Sequence, residues 1–282
     1  RSQVDARVTV DCTGDAAVAL FAGAEWTLDT SLQAMTYHFR LGNVASGITW
    51  HQLEVECRDA MEHFAPHGLN YGGPWVIRMA PGEVSVNATR VFGNPVNPQQ
   101  RTFAERDVRE DMLTIAGILR ARVPSLRESY ILSGATDLHV RESRKIIGNY
   151  VFTEEDIWSG RGFPDVIGIG AWPVDIHPSD GFVGVHPHKE NPPEPYEIPY
   201  RCLLPRGLRN FLVAGKPFST THAAHGSTRV PGTSMVTGHA AGTAAALAVL
   251  NNVTPCELDI NKLQETLRTQ GAVLSRFESI QA

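Results

Sequence analysis

No basic stripe runs through these 282 residues: 25 lysines and arginines stand against 30 acidic residues, the formal net charge is -5, and the cations are scattered. The chain therefore lacks the electrostatic footprint that a phosphate backbone selects, and nucleic acid is excluded as an expected partner. Long apolar runs are also missing. The longest, 240–250, is broken by Gly242 and Thr243 and falls short of the ~20 residues a bilayer span needs, so it reads as a buried helix and no membrane span is expected. Cysteine is scarce: Cys12, Cys57, Cys202 and Cys256 form no C-x-x-C pair and no regular spacing. That argues against a zinc site or a disulfide scaffold and points to free thiols in a reducing cytoplasm. The chain opens on Arg-Ser-Gln with no Met, no apolar signal segment and no basic leader, so it is expected to continue a longer polypeptide. Ser227 and Ser234 lie near His222 and His225, but no G-x-S-x-G turn accompanies them, and a nucleophilic hydrolase is disfavoured.

What is present is enough to bury a core, with 42% hydrophobic and 20% charged residues, in one large domain or two small ones. Val4, Ala6, Val8 and Val10 alternate with polar residues, which predicts a strand over Gln3 to Asp11. Asp15 then stands where it can cap an Ala-rich helix stopping near Gly23. Further strands are expected over Met35 to Leu41, Trp75 to Met79 and Leu138 to Ile147. Thr49 with Gln52, and Thr102 with Glu105, have the capping-box spacing of helix starts, and Pro124 should close the second of those helices. Residues 160–199 are rich in Gly and Pro and read as an ordered connection. From Tyr200 the pattern sharpens: Asn210 to Gly215 is a continuous apolar strand of the kind a parallel, doubly covered sheet requires. A Gly-, Ser- and Thr-rich loop then leads to a helix from about Thr233 to Leu250, and a last helix capped by Asp259 carries Leu263 and Leu267 and ends at Gly271.

The informative stretch is 212–249. Its strand, loop and helix start, with Gly232, Thr233 and Ser234 in the early turns, present free backbone N–H groups and a dipole that favour negative charge or a carbonyl acceptor. Gly238, Ala241, Gly242 and Ala245 recur at helical spacing and leave a face nearly without side chains. Two readings stay open for that face, tight packing on a sheet or contact with a flat ring, since Gly costs ~1 kcal/mol against Ala inside a helix. His177, His222 and His225 are the histidines suited to proton transfer near neutral pH. The group His177, Asp180, His186 and His188 could suit a divalent ion, but no helical or hairpin spacing orders it, so no metal is expected.

His225-Gly226-Ser227-Thr228-Arg229-Val230-Pro231-Gly232-Thr233-Ser234-Met235, followed by Ala240-Ala241-Gly242, resembles the H-G-x-x-R-x-x-G-x-S-[LM] element and later A-G of FAD-dependent oxidoreductases related to fumarate reductase and succinate dehydrogenase flavoproteins. Val10-Asp11-Cys12-Thr13-Gly14-Asp15 is similar to their V-[DN]-A-T-G-D strand. Arg141-Glu142-Ser143-Arg144, Trp172 to His177 and Ile198 to Arg201 resemble landmarks of a less characterised branch. The resemblance implies an α/β fold: the C-terminal part of a glutathione-reductase-type FAD-binding domain, in residues 1–30 and 200–255, with an inserted α+β substrate domain over 31–199 and a C-terminal helix over 256–282. It implies FAD contacts by Thr13, Gly14, Asp15, Gly215, Lys216, His225, Gly226, Gly232, Thr233 and Ser234. Arg229 matches the arginine that orients a substrate carboxylate, and His222 or His177 would handle the proton. Lys216 stands where an arginine is common, and Val-Pro-Gly replaces Leu-Gly-Gly. The G-x-G-x-x-G fingerprint for the ADP half is absent, because Gly168-Ile169-Gly170 lacks the third glycine and the helix. The implied partners are therefore an N-terminal fragment or subunit carrying that half, in a heteromer, and a small-molecule substrate. Hydride transfer between a small polar substrate and the flavin is the expected activity; the alternative is a non-catalytic flavin-domain subunit with an assembly or regulatory role.

Overall fold

The computed structural model describes residues 3–64, 67, 75–177 and 193–277. In chain order its strands are β1 Thr9–Asp11, β2 Trp26–Thr27, β3 Phe39–Gly42, β4 Trp75–Ala80, β5 Glu83–Asn87, β6 Tyr130–Gly134, β7 Lys145–Ile146, β8 Val166–Gly170, β9 Tyr196–Pro199 and β10 Phe211–Val213. The helices are α1 Ala17–Phe21, α2 Trp50–Asp59, α3 Pro98–Arg122, α4 Glu154–Ser159, α5 His222–Thr228, α6 Pro231–Asn251 and α7 Ile260–Thr269. The fold is mixed α/β. Two compact units divide it, one holding Arg1–Thr30, Ser143–Ile176 and the C-terminal stretch, the other Ser31–Glu142 with His177. The middle unit is thus shorter than the 31–199 expected, because Ser143–Ile176 packs with the chain ends.

In the first unit β1 and β10 run parallel, with Thr9 opposite Phe211 and Asp11 opposite Val213. The strand expected over residues 3–11 is confined to three residues, since 3–7 are exposed and only Thr9–Asp11 faces a partner. β10 is buried on both sides. Leu212 joins the core that includes Ala240, Ala241, Ala244, Leu263 and Leu267, while Phe211 and Val213 pack with Ala16, Ala19 and Ala24. Alternate residues of a strand point to opposite faces, and full burial of each such side chain contributes about 1.5–3 kcal/mol. α6 lies against β8, β1, β10 and α7. It is long and apolar enough to cross a membrane by length and composition alone, and in this fold its Ala240, Ala241, Ala244 and Ala248 are fully buried. α7 follows the expected pattern: Asp259 accepts from the Asn261 N–H at 2.9 Å, and Leu263 and Leu267 are buried.

The second unit is an antiparallel sheet in the order β4-β5-β3-β6. Phe39, Leu41, Val76, Val84 and Val86 turn inward to a core with Leu53, Cys57, Ile115 and Leu119 from α2 and α3. Met35 and Thr36, expected in the strand, make only isolated bridges to Val91 and His139, and of Leu138 to Ile147 only Lys145–Ile146 is a strand. Thr49 caps α2, accepting from the Gln52 N–H. Thr102 does not start a helix. Asn97 caps α3 through the Gln99 and Gln100 N–H groups, Pro98 takes its first turn, and Thr102 donates to the Pro98 carbonyl inside it. An Asn-Pro pair is the stronger start because the proline needs no acceptor there. α3 ends at Arg122, ahead of Pro124 as expected.

Burial first, then the Arg141 charge, holds the His38 imidazole below its usual value. A base with a lowered folded pKa contributes stability above its unfolded value of ~6.5, lost as the pH falls through the folded one. Denaturant midpoints are expected to drop from about pH 7 to about pH 5, and His38→Gln should flatten that slope; an unchanged slope in the variant would remove His38 as its source.

Candidate functional site

The site begins with a buried carboxylate. Asp11 closes β1 at 1% exposure. Its Oδ1 accepts from the Thr13 N–H at 2.8 Å and the Thr13 hydroxyl at 2.7 Å, and its Oδ2 accepts from the Ala19 N–H at 2.7 Å. The Thr13 Oγ1 accepts from the Ala17 N–H at 2.9 Å. Asp11 and Thr13 therefore satisfy the amides of α1 that were expected to fall to Asp15. Ala16, entering that helix, is left-handed with φ 53 and receives no side-chain cap. Asp15 accepts instead from the Ser143 hydroxyl at 2.6 Å, and its carbonyl accepts from the Arg144 Nε at 3.0 Å.

The turn so fixed lines a cavity of about 280 Å³, whose walls are Cys12, Gly14, Ala214, Gly215, Lys216, Ser234 and Gly238. It sits where β1 and β10 end and α6 begins, the place at which open parallel sheets bind ligands. Gly14 and Gly215 have φ +82 and +79, a conformation that favours glycine. The Gly215 N–H donates to the Thr237 hydroxyl oxygen at 3.0 Å, tying the end of β10 to the second turn of α6. Burial, and then Asp11 beside it, pushes the Cys12 thiol up.

α6 starts with Val230 as its cap residue, Pro231 in the first turn and no side-chain cap among the described residues; the Ser234 N–H donates to the Val230 carbonyl, so Gly232 and Thr233 carry the N–H groups that a helix start leaves without an intrahelical acceptor. A Cβ built on Gly232, Gly238 or Gly242 meets nothing within 4 Å. The alanines Ala240, Ala241 and Ala244 do the tight packing and are fully buried. Among the described residues these glycines are thus not needed for packing on the sheet.

The segment before α6, expected as a loop, is the helix α5, whose cap residue Thr221 accepts from the Ala224 N–H. Within it His225 and Gly226 are buried. A Cβ on Gly226 would lie 3.0 Å from Ile176 Cγ1 and 3.3 Å from the Asp175 carbonyl, so this glycine admits the 175–176 backbone. Ser227 is buried with its hydroxyl on the Trp172 carbonyl and the Tyr196 hydroxyl. Arg229 follows α5, and its Nη2 donates to the Asp175 carbonyl at 3.0 Å and to Asp175 Oδ2 at 3.1 Å. His222 opens α5, half-buried. His177 belongs to the other unit, where its Nδ1 lies 3.0 Å from Arg90 Nη2 and its N–H donates to Gln33 Oε1. Asp180, His186 and His188 lie outside the described residues.

A family model for FAD dependent oxidoreductases matches residues 1–267. The chain belongs to this family. No curated protein and no solved structure matches it. As an FAD dependent oxidoreductase it implies FAD as cofactor, and the residues present fit part of that molecule. The cavity is slightly below the ~300–1,000 Å³ of common small-molecule sites, room for a fragment of a dinucleotide, beside a cation and an uncapped helix start. Of the expected cofactor residues it gathers Gly14, Gly215, Lys216 and Ser234. Cys12 and Ala214 also line it and were not anticipated; Gly238 lines it too, from the face for which contact with a flat ring had been left open. Gly238 was legible, one helical turn beyond Ser234.

Gly238→Ala should raise stability to denaturant by up to ~1 kcal/mol, and the same change should weaken FAD retention on gel filtration; Gly238→Leu should abolish retention. Unaltered FAD retention in Gly238→Leu would show that the cofactor does not touch this face.

Proposed function

We propose that this chain is the flavin-facing, C-terminal portion of an FAD-dependent oxidoreductase of the glutathione-reductase-type fold, with residues 31–142 forming a substrate domain. One observation carries the reading: a cavity at the ends of two parallel strands, walled by Gly14, Gly215, Lys216, Ser234 and Gly238, beside a long helix with no cap of its own. Bound there, FAD would supply hydride chemistry. The α6 amides and the Lys216 ammonium would hold its electronegative atoms, and the turn Thr13 to Asp15 would lie along its diphosphate-ribose side. No G-x-G-x-x-G run is present, so the ADP half is assigned to an N-terminal fragment or subunit. The four free cysteines fit a cytoplasmic complex.

The chain's own contribution to the reaction is orientation and proton handling. The Arg229 fork is held by Asp175 through Nη2, and its side chain is only 9% exposed, so it meets a small polar substrate pre-oriented rather than swinging in solvent. A planar guanidinium matches a carboxylate in two bonds, which an ammonium cannot do. His222 would take or give the proton that accompanies hydride transfer.

Mixing the purified flavoprotein anaerobically with small alcohols and dicarboxylates should bleach the oxidised-flavin band. Arg229→Lys should keep its flavin and bleach about 100-fold more slowly, the scale of a misplaced substrate. A fully loaded wild-type protein that no candidate bleaches would favour a role in assembly or regulation.

A further inference from the structure

Lys145 is the least expected charge in the first unit: its side chain is 1% exposed, and its Nζ lies 2.6 Å from Asp29 Oδ2. An ammonium removed from water persists only when paired, so the lysine also fixes where Asp29 stands. The backbone makes this placement rigid. β2 and β7 are antiparallel with Thr27 opposite Lys145, which brings Asp29, two residues past β2, to the lysine. The Ile146 N–H donates to the Pro217 carbonyl, the Phe152 N–H to the Ser219 carbonyl and the Thr221 N–H to the Phe152 carbonyl, so the segment leading to α5 is stitched to the same strand. At the head of α5, a ring nitrogen of His222 and a carboxylate oxygen of Asp29 lie within 4.8 Å. One water or a small ring rotation spans that gap.

We propose that Lys145 and Asp29 are positioning residues for His222: the buried lysine anchors the carboxylate, and the carboxylate holds one ring nitrogen of the histidine. This rests on the reading of His222 as the proton-handling residue. A carboxylate on one imidazole nitrogen selects the tautomer and the ring orientation, leaving the other nitrogen to exchange a proton with substrate. The proton exchanged with substrate is carried by the far nitrogen of His222 alone.

The test is the pair of ring-nitrogen chemical shifts of His222 in the complete flavin-loaded protein carrying isotope-labelled histidine, assigned through His222→Gln. The wild type should show one protonated and one bare nitrogen. Asp29→Asn should move both shifts toward the average of two tautomers, and Lys145→Met should move them the same way by less. Shifts that stay at wild-type values in Asp29→Asn overturn the proposal. Should that variant not fold, unchanged shifts in Lys145→Met overturn it equally, since methionine fills the lysine's volume without its charge. His222→Gln separates the two claims: undiminished flavin bleaching by a confirmed substrate would remove the proton-handling role, while shifts that respond to Asp29→Asn would keep the orienting one.

Discussion

The Asp11 carboxylate is buried, and a buried charge must be met by donors. It finds them in the Thr13 N–H, the Thr13 hydroxyl and the Ala19 N–H, which ties the last residue of β1 to the first turns of α1. The conformation of Cys12, Thr13 and Gly14 is the result. Cys12 and Gly14 line the cavity, so its shape depends on a group that does not. Gly215, held to Thr237 on α6, fixes the opposite wall by the same logic.

α6 joins two demands on one helix. Its inner side must approach strands, which Ala240, Ala241 and Ala244 allow at full burial. Elsewhere it carries Gly232, Gly238 and Gly242, where an added Cβ would meet no neighbour. Glycine inside a helix weakens it. α6 bears this cost at positions where packing among the described residues does not require it.

Much of this was legible in the sequence for physical reasons. Strand β10, with both faces buried, has no polar residue to disguise it, and α6, expected from about Thr233, announces itself by a long small-residue run although it begins two residues earlier at Pro231. Helix α5 was not legible, because His-Ala-Ala-His-Gly-Ser-Thr carries glycine and hydroxyl residues of low propensity, and tertiary packing on residues 175–176 decides its shape. The start of α3 was misplaced because Thr102 and Glu105 match a spacing that Asn97 and Pro98 satisfy with better chemistry. Lys145 drew no notice at all. A lone lysine between Arg144 and Ile146 looks solvated until β2 is seen beside it, and only the fold brings Asp29 and His222 to the same place.

The pairing of β1 with β10 also has a consequence in time. Thr9 and its partner Phe211 are 202 residues apart (211 minus 9), and a ribosome adds about 5–20 residues per second, so β1 emerges about 10–40 s before its partner exists. The stretch Ser31–Glu142, most of the second unit, is made within that interval and can fold before β10 exists.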